Sequence, residues 1–138
     1  MVSTQADILL VEDQASDAEL VMHALRELDL DRSVTPVRDG AEALDFLFAR
    51  GAYAHRDASD APRFVLLDLK LPKIDGLQVL EAIRSDARTK DIPVIALTSS
   101  KETCDVQRCY ELGVNSYVVK PVDFDRFTEA IQQIGRYW

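Results

Sequence analysis

The 138-residue chain is short of cysteine, short of basic charge and without a long apolar run. The two cysteines, Cys104 and Cys109, fall in one expected helix. Five helical steps separate their Cα atoms by roughly 8–9 Å, beyond disulfide reach. No third or fourth ligand joins them, so they read as reduced thiols of a cytoplasmic protein rather than a metal cluster. Lys and Arg number 16 against 24 Asp and Glu, giving a net charge of −8. That balance repels phosphates, which argues against non-specific nucleic-acid binding and against docking on anionic membranes. No stretch approaches the roughly 18–20 apolar residues of a membrane span. The opening MVSTQAD has neither a basic region nor an apolar core, so no signal peptide is expected. Repeats and low-complexity segments are missing too, and residues 1–138 are expected to form one domain with no second domain beside it.

What is present is an alternation of apolar runs with helical patterns, in an otherwise ordinary composition of 47% apolar and 29% charged residues. Strands are expected at Ile8–Val11, Ser33–Val37, Phe64–Asp68, Val94–Leu97 and Tyr117–Val119. Pro36 cannot donate to a ladder, so the second strand belongs at a sheet edge. Ser16 and Glu19 of SDAE have the spacing of a capping box opening a helix that reaches about Leu28. Asp39–Gly40 starts a second helix, with Leu44, Leu47 and Phe48 as its apolar stripe. Further helices are expected over about Gly76–Arg84, Lys101–Leu112 with Gly113 as its C-cap, and Asp123–Gly135. Five βα units in a row imply an α/β fold, a doubly wound, mostly parallel sheet with helices on both faces. Residues 50–62, RGAYAHRDASDAP, form a connection longer than the topology needs, and such loops are either functional or merely mobile.

The segment FVLLDLK, residues 64–70, poses the chemical question. Four apolar residues of a strand buried on both faces end in Asp68, where a lone carboxylate faces a desolvation cost of several kcal/mol. Ligands of open parallel sheets bind beyond the carboxyl ends of the strands. Strand one ends in Glu12–Asp13, strand three in Asp68, strand four in Thr98–Ser99 and strand five in Lys120–Pro121. Three carboxylates, two hydroxyls and one amine thus reach one edge. Asp68 beside Asp13 at about 4 Å would be repelled by roughly 4 kcal/mol at an effective dielectric near 20. Either one is protonated or a cation lies between them. Carboxylates with room for water suit Mg²⁺. With Lys120 as a fixed positive charge and Thr98 as a donor, the set is equipped for phosphoryl transfer to a carboxylate nucleophile.

ILLVED, VLLDLKLPKIDG, VIALTSS and YVVKP, in this order and at these spacings, resemble the signature blocks of response-regulator receiver domains of two-component signalling. The resemblance covers essentially the whole chain. It implies the flavodoxin-like receiver fold, a five-stranded parallel sheet of order 2-1-3-4-5. It makes Asp68 the phosphoacceptor and Asp13 a direct Mg²⁺ ligand. Glu12 would act mainly through a metal-bound water, and the backbone carbonyl of Lys70 would be a further ligand. Thr98 and Lys120 would contact the phosphoryl group, with Lys120–Pro121 joined by a cis peptide. Tyr117, an aromatic that packing alone could explain, matches the family's switch position, its ring turning inward as Thr98 moves toward the phosphate. The implied function is a stand-alone regulator phosphorylated by a sensor histidine kinase and signalling through protein–protein contact. The long loop, DLKLPKIDG, ELGVNSYVVKPVDF and the terminal YW are most similar to phytochrome-associated regulators, whose kinase would be a bacteriophytochrome. Phe124, Phe127, Tyr137 and Trp138 suggest a homodimer through helix four, strand five and helix five. The chain is then no enzyme in its own right beyond self-catalysed phosphorylation and dephosphorylation.

Two other functions fit the architecture less well. A haloacid-dehalogenase-type phosphohydrolase wants a second acid two residues after its nucleophile, where Lys70 stands. A flavodoxin-like flavin carrier needs amides with Ser, Thr or Gly after strand one, where EDQASD would repel a phosphate.

Overall fold

A computed structural model describes residues 8–57, 60–71, 74–98, 103–119 and 124–137. The strands are β1 (Ile8–Val11), β2 (Val34–Val37), β3 (Phe64–Asp68), β4 (Val94–Thr98) and β5 (Ser116–Val119). The helices are α1 (Ala15–Arg26), α2 (Gly40–Leu47), α3 (Gly76–Ser85), α4 (Thr103–Glu111) and α5 (Phe124–Tyr137). All four strand pairings are parallel, in the order β2-β1-β3-β4-β5. The expected doubly wound topology is therefore the observed one, with β2 and its Pro36 at an edge.

Side-chain alternation divides the sheet between two cores. Leu9, Val11, Val65, Leu67, Val94 and Ala96 join Ala43, Phe46 and Leu47 of α2 and Val79, Leu80 and Ile83 of α3. Ile8, Leu10, Phe64, Leu66, Ile95 and Leu97 join Val21, Ala24 and Leu25 of α1 and Ile131 and Ile134 of α5. A strand buried on both faces must be apolar at every position, which is why β1 and β3 read as unbroken runs.

Helix α1 ends at Arg26 rather than about Leu28, α5 runs on to Tyr137 rather than Gly135, and one expected cap is missing. Ser16 and Glu19 do not form a capping box: α1 begins at Ala15 with Gln14 as its N-cap and no side-chain cap. The reason is local. The backbone N–H of Gln14 donates to Glu12 Oε1 at 3.1 Å, so the β1–α1 turn closes early and Ser16 lies inside the first turn. Asp39 does cap α2, accepting from the Glu42 N–H at 2.8 Å. Asp75 and Gln78 form a reciprocal capping box on α3. After α4, Gly113 takes a φ of 84°, while its N–H bonds Tyr110 O and that of Val114 bonds Cys109 O. This is a Schellman ending, for which glycine is the natural residue. Cys109 is buried in the α2–α3 core.

The described part of the long connection packs on α2. Gly51–Tyr53 form a single 3-10 turn, and Tyr53 meets Phe46 edge-on with ring centroids 5.2 Å apart. The Arg56 guanidinium lies 3.7 Å from the centroid of the same Phe46 ring and donates to the carbonyls of Phe46 and Asp60. Among the described residues no helix is long and apolar enough to cross a membrane.

Candidate functional site

The sheet register brings the acids together. Val11 pairs with Leu67, so the residues that follow, Glu12 and Asp68, leave neighbouring strands at the same level. Asp13 comes next on the β1 side. One carboxylate oxygen from each of Glu12, Asp13 and Asp68 lies within 4.8 Å of the others. Glu12 and Asp68 are each only 3% exposed, whereas Asp13 is half-buried. At 4.8 Å and a dielectric near 20, each pair of ionised carboxylates repels by roughly 3 kcal/mol. Three hard oxygen donors concentrated in this way are the chemistry of a site for a small divalent cation such as Mg²⁺.

Backbone contacts hold the carboxylates in place. Asp68 Oδ1 accepts the N–H of Lys70 at 3.0 Å, and Glu12 Oε1 accepts that of Gln14. The N–H of Glu12 itself donates to Val37 O at 3.0 Å, and the N–H of Leu69 to Leu97 O at 3.1 Å. Gly76 seats α3 beneath this turn: its N–H bonds Leu69 O, and a Cβ there would collide with the Asp68 carbonyl and Leu69 Cα. On the other flank, a Cβ on Gly40 would collide with the Ile74 carbonyl, so the start of α2 rests directly on the β3–α3 connection. These two glycines belong to the machinery of the site although neither carries a functional group. Their signal in the sequence was the pair of Asp-Gly steps: 39–40 reads as a helix start, and 75–76 as a cap plus a glycine permitting an unusual backbone angle at the mouth of the site, whereas Gly76 takes no positive φ and is required by close approach instead.

The remaining expected residues divide by position. Lys70 is exposed beside Asp68. Thr98 is the last residue of β4, in register with Val119 of β5, and so ends at the same edge as Asp68. Tyr117, in register with Ala96, is 38% exposed with its ring against Tyr110 at a centroid distance of 6.0 Å. Lys120 and Pro121, and with them the expected cis peptide, lie outside the described residues. His23 is on the exposed flank of α1, 3.4 Å from Glu27, away from the acids.

If Asp13 is a direct metal ligand, Asp13→Asn should weaken Mg²⁺ binding by about tenfold or more, because a neutral amide replaces an anionic oxygen. Calorimetric titration of parent and variant measures this, and equal affinities would exclude Asp13 as a ligand.

The comparisons with known proteins agree with this geometry. Residues 8–132 match the model of the response regulator receiver domain family. The chain is 40% identical over 131 residues to response regulator Rcp1 of a Synechocystis species, covering 95% of this chain and 87% of that protein. The Mn²⁺-bound crystal structure of Rcp1 superposes with a TM-score of 0.86 at 39% identity, over 95% of this chain and 92% of that one. Bacteriophytochrome response regulator RtBRR is 50% identical with a TM-score of 0.81, over 98% of this chain and 81% of that one. The phosphorylated cyanobacterial phytochrome response regulator RcpA is 37% identical with a TM-score of 0.88, over 98% and 94%. With the fold, the acid cluster at the carboxyl edge and a family match across nearly the whole sequence, the chain belongs to the response regulator receiver domain family of two-component signalling.

Proposed function

We propose that the protein is a phosphorylation-controlled response regulator that accepts a phosphoryl group on Asp68 from a sensor histidine kinase. The observation that carries this reading is the gathering of Glu12, Asp13 and Asp68 within 4.8 Å, with Asp68 buried at the end of β3. An Asp68 carboxylate oxygen attacks the phosphorus of a phosphohistidine. The P–N bond breaks and its electron pair stays on the imidazole nitrogen. Glu12, Asp13, Asp68 and the carbonyl of Lys70 would hold Mg²⁺, which when bound neutralises charge on the transferring oxygens. Thr98 and Lys120 are assigned to the phosphoryl group itself, from the edge at which β4 and β5 end. Tyr117 is assigned the switch, and its ring stands partly exposed against Tyr110. The test is incubation with acetyl phosphate and Mg²⁺ followed by mapping of the labelled peptide, which should contain Asp68.

The kinase partner is proposed to be of the phytochrome type, since RtBRR and RcpA are named for that association and resemble this chain along nearly its full length. Signalling is proposed to run through the surface of α4, β5 and α5. Tyr110, Tyr117 and Tyr137, one from each element, are 51%, 38% and 77% exposed. Exposed aromatics are enriched at interfaces, and two of these, Tyr110 and Tyr117, stack edge-on. A homodimer through this face is the expected assembly. Light scattering should give twice the monomer mass at high concentration with or without a phosphoryl mimic, and a monomer under both conditions would refute it.

A further inference from the structure

The segment after α2 reaches the acidic pocket through a series of hydrogen bonds. The Tyr53 hydroxyl donates to Glu42 Oε2 at 2.7 Å. Glu42 Oε1 accepts the N–H of Arg38 at 3.0 Å, while the N–H of Glu42 is tied to Asp39. Arg38 directly follows Val37, whose carbonyl accepts the N–H of Glu12. One side chain from the long connection thus fixes the carboxylate that fixes the β2–α2 turn, and that turn holds the backbone of a pocket acid. The same start of α2 presses through Gly40 on Ile74, beyond Asp68 on the other side of the pocket.

Tyr53 itself is firmly placed. Its ring packs on Phe46, Arg56 covers Phe46 and ties the segment back to Asp60, and Gly51 sits close enough to α2 that a Cβ would come 2.8 Å from Asp45 Oδ2. Burial, with the hydrogen bond to Glu42 next, pushes the phenol up to about 12 from 10.0. A raised folded-state value means the bond's stabilisation is complete below about pH 10 and is lost as pH rises through about 12. The hydroxyl is therefore a donor at every physiological pH.

We infer that Tyr53 is a positioning residue for the acidic pocket: through Glu42 it holds the β2–α2 turn against Glu12, so that the α2–β3 segment tunes the affinity of the site for a divalent cation. This rests on the reading of the pocket as a metal site, and it gives the long connection a role other than joining two elements. Outer contacts that orient metal ligands commonly change affinity by about tenfold or more, and an indirect one should have a smaller effect.

The experiment compares the parent with Tyr53→Phe, which deletes one oxygen and keeps the ring packing. Amide hydrogen exchange of the metal-free proteins should accelerate about three- to tenfold at Arg38 and Glu12, while Ile131 in α5 keeps its rate. The Mg²⁺ dissociation constant, measured by calorimetry, should rise about threefold. Ile134→Val, a loss of packing on the opposite face, serves as the stability control and should leave Mg²⁺ affinity unchanged. Unchanged exchange at Arg38 and Glu12, or Mg²⁺ affinity equal to the parent's, would overturn the inference. So would an equal loss of affinity in Ile134→Val, since the effect would then be general loosening. Failure of the parent to be labelled at Asp68 would overturn the acceptor reading alone, because neither readout here uses a phosphoryl donor.

Discussion

Asp68→Asn is expected to abolish phosphoryl labelling and, in the metal-free protein, to raise stability. Loss of labelling follows from the nucleophile: an amide oxygen has no full negative charge and its phosphorylated form would not persist. The second effect follows from crowding. Asp68 shares a space of 4.8 Å with Glu12 and Asp13, and it is 3% exposed, so its charge is poorly shielded by water. Removing it relieves a repulsion of roughly 3 kcal/mol per pair at a dielectric near 20, of which about 1–2 kcal/mol should survive as a net gain. Added Mg²⁺ should stabilise the parent strongly and the variant weakly, because bound cation shifts the folding equilibrium by mass action. Urea unfolding with and without Mg²⁺, beside a labelling assay, tests both parts. Persistent label mapped to another residue would sink the assignment of Asp68. A destabilised metal-free variant would mean that the carboxylate is a net structural asset and that the repulsion has been overestimated.

Arg84→Ala is expected to cost about 3–4 kcal/mol of stability without touching the pocket chemistry. The Arg84 guanidinium, on α3, donates to Lys90 O at 3.0 Å and Ile92 O at 2.7 Å in the α3–β4 connection. It also donates twice to Gly113 O, at 3.1 and 2.8 Å, and once to Asn115 Oδ1 at 3.0 Å. Asn115 in turn accepts the N–H of Val94, the first residue of β4, at 2.9 Å. One side chain thereby closes the end of the molecule opposite the pocket, joining α3, the start of β4 and the α4–β5 turn. Burial lowers the guanidinium's pKa below its ordinary value, a sign that it is partly withdrawn from water. Hydrogen bonds from a charged group contribute about 1.5–3 kcal/mol each when well formed, and carbonyls left without donors add a penalty. Several of these contacts remain near solvent, which keeps the total well below their sum. Arg84→Lys should recover less than half of the loss, since an ammonium cannot span acceptors on three segments. Urea unfolding measures both variants, and a cost under about 1 kcal/mol for the alanine variant would show that water replaces the guanidinium.

The pocket and the Arg84 bracket were legible in the sequence to very different degrees. Buried strands had to be apolar throughout, so Phe64–Leu67 identified β3 and made Asp68 conspicuous at its end. Glu12 and Asp13 stood out for the same reason at the end of β1. Arg84 gave no such signal. Most of its acceptors are backbone carbonyls, which every residue possesses, and the farthest of these, that of Gly113, lies 29 positions away along the chain. Ser16 and Glu19 show the converse failure, in which a correctly spaced capping pair is bypassed because Glu12 draws the Gln14 N–H into the β1–α1 turn.

By itself the sequence determined the order of elements, the parallel sheet, the edge placement of β2 and the identity of the acids that end β1 and β3. These follow from period, run length and turn chemistry, which are local properties of the chain. Tertiary structure alone decided how close those acids come, what supports them from behind, and where Tyr53 spends its hydroxyl. Register between strands, the close approach of Gly40 and Gly76 to neighbouring backbone, and bonds such as Tyr53 to Glu42 depend on segments far apart in sequence meeting in space. No local pattern encodes such a meeting, because the energy that fixes it comes from the packing of the whole core.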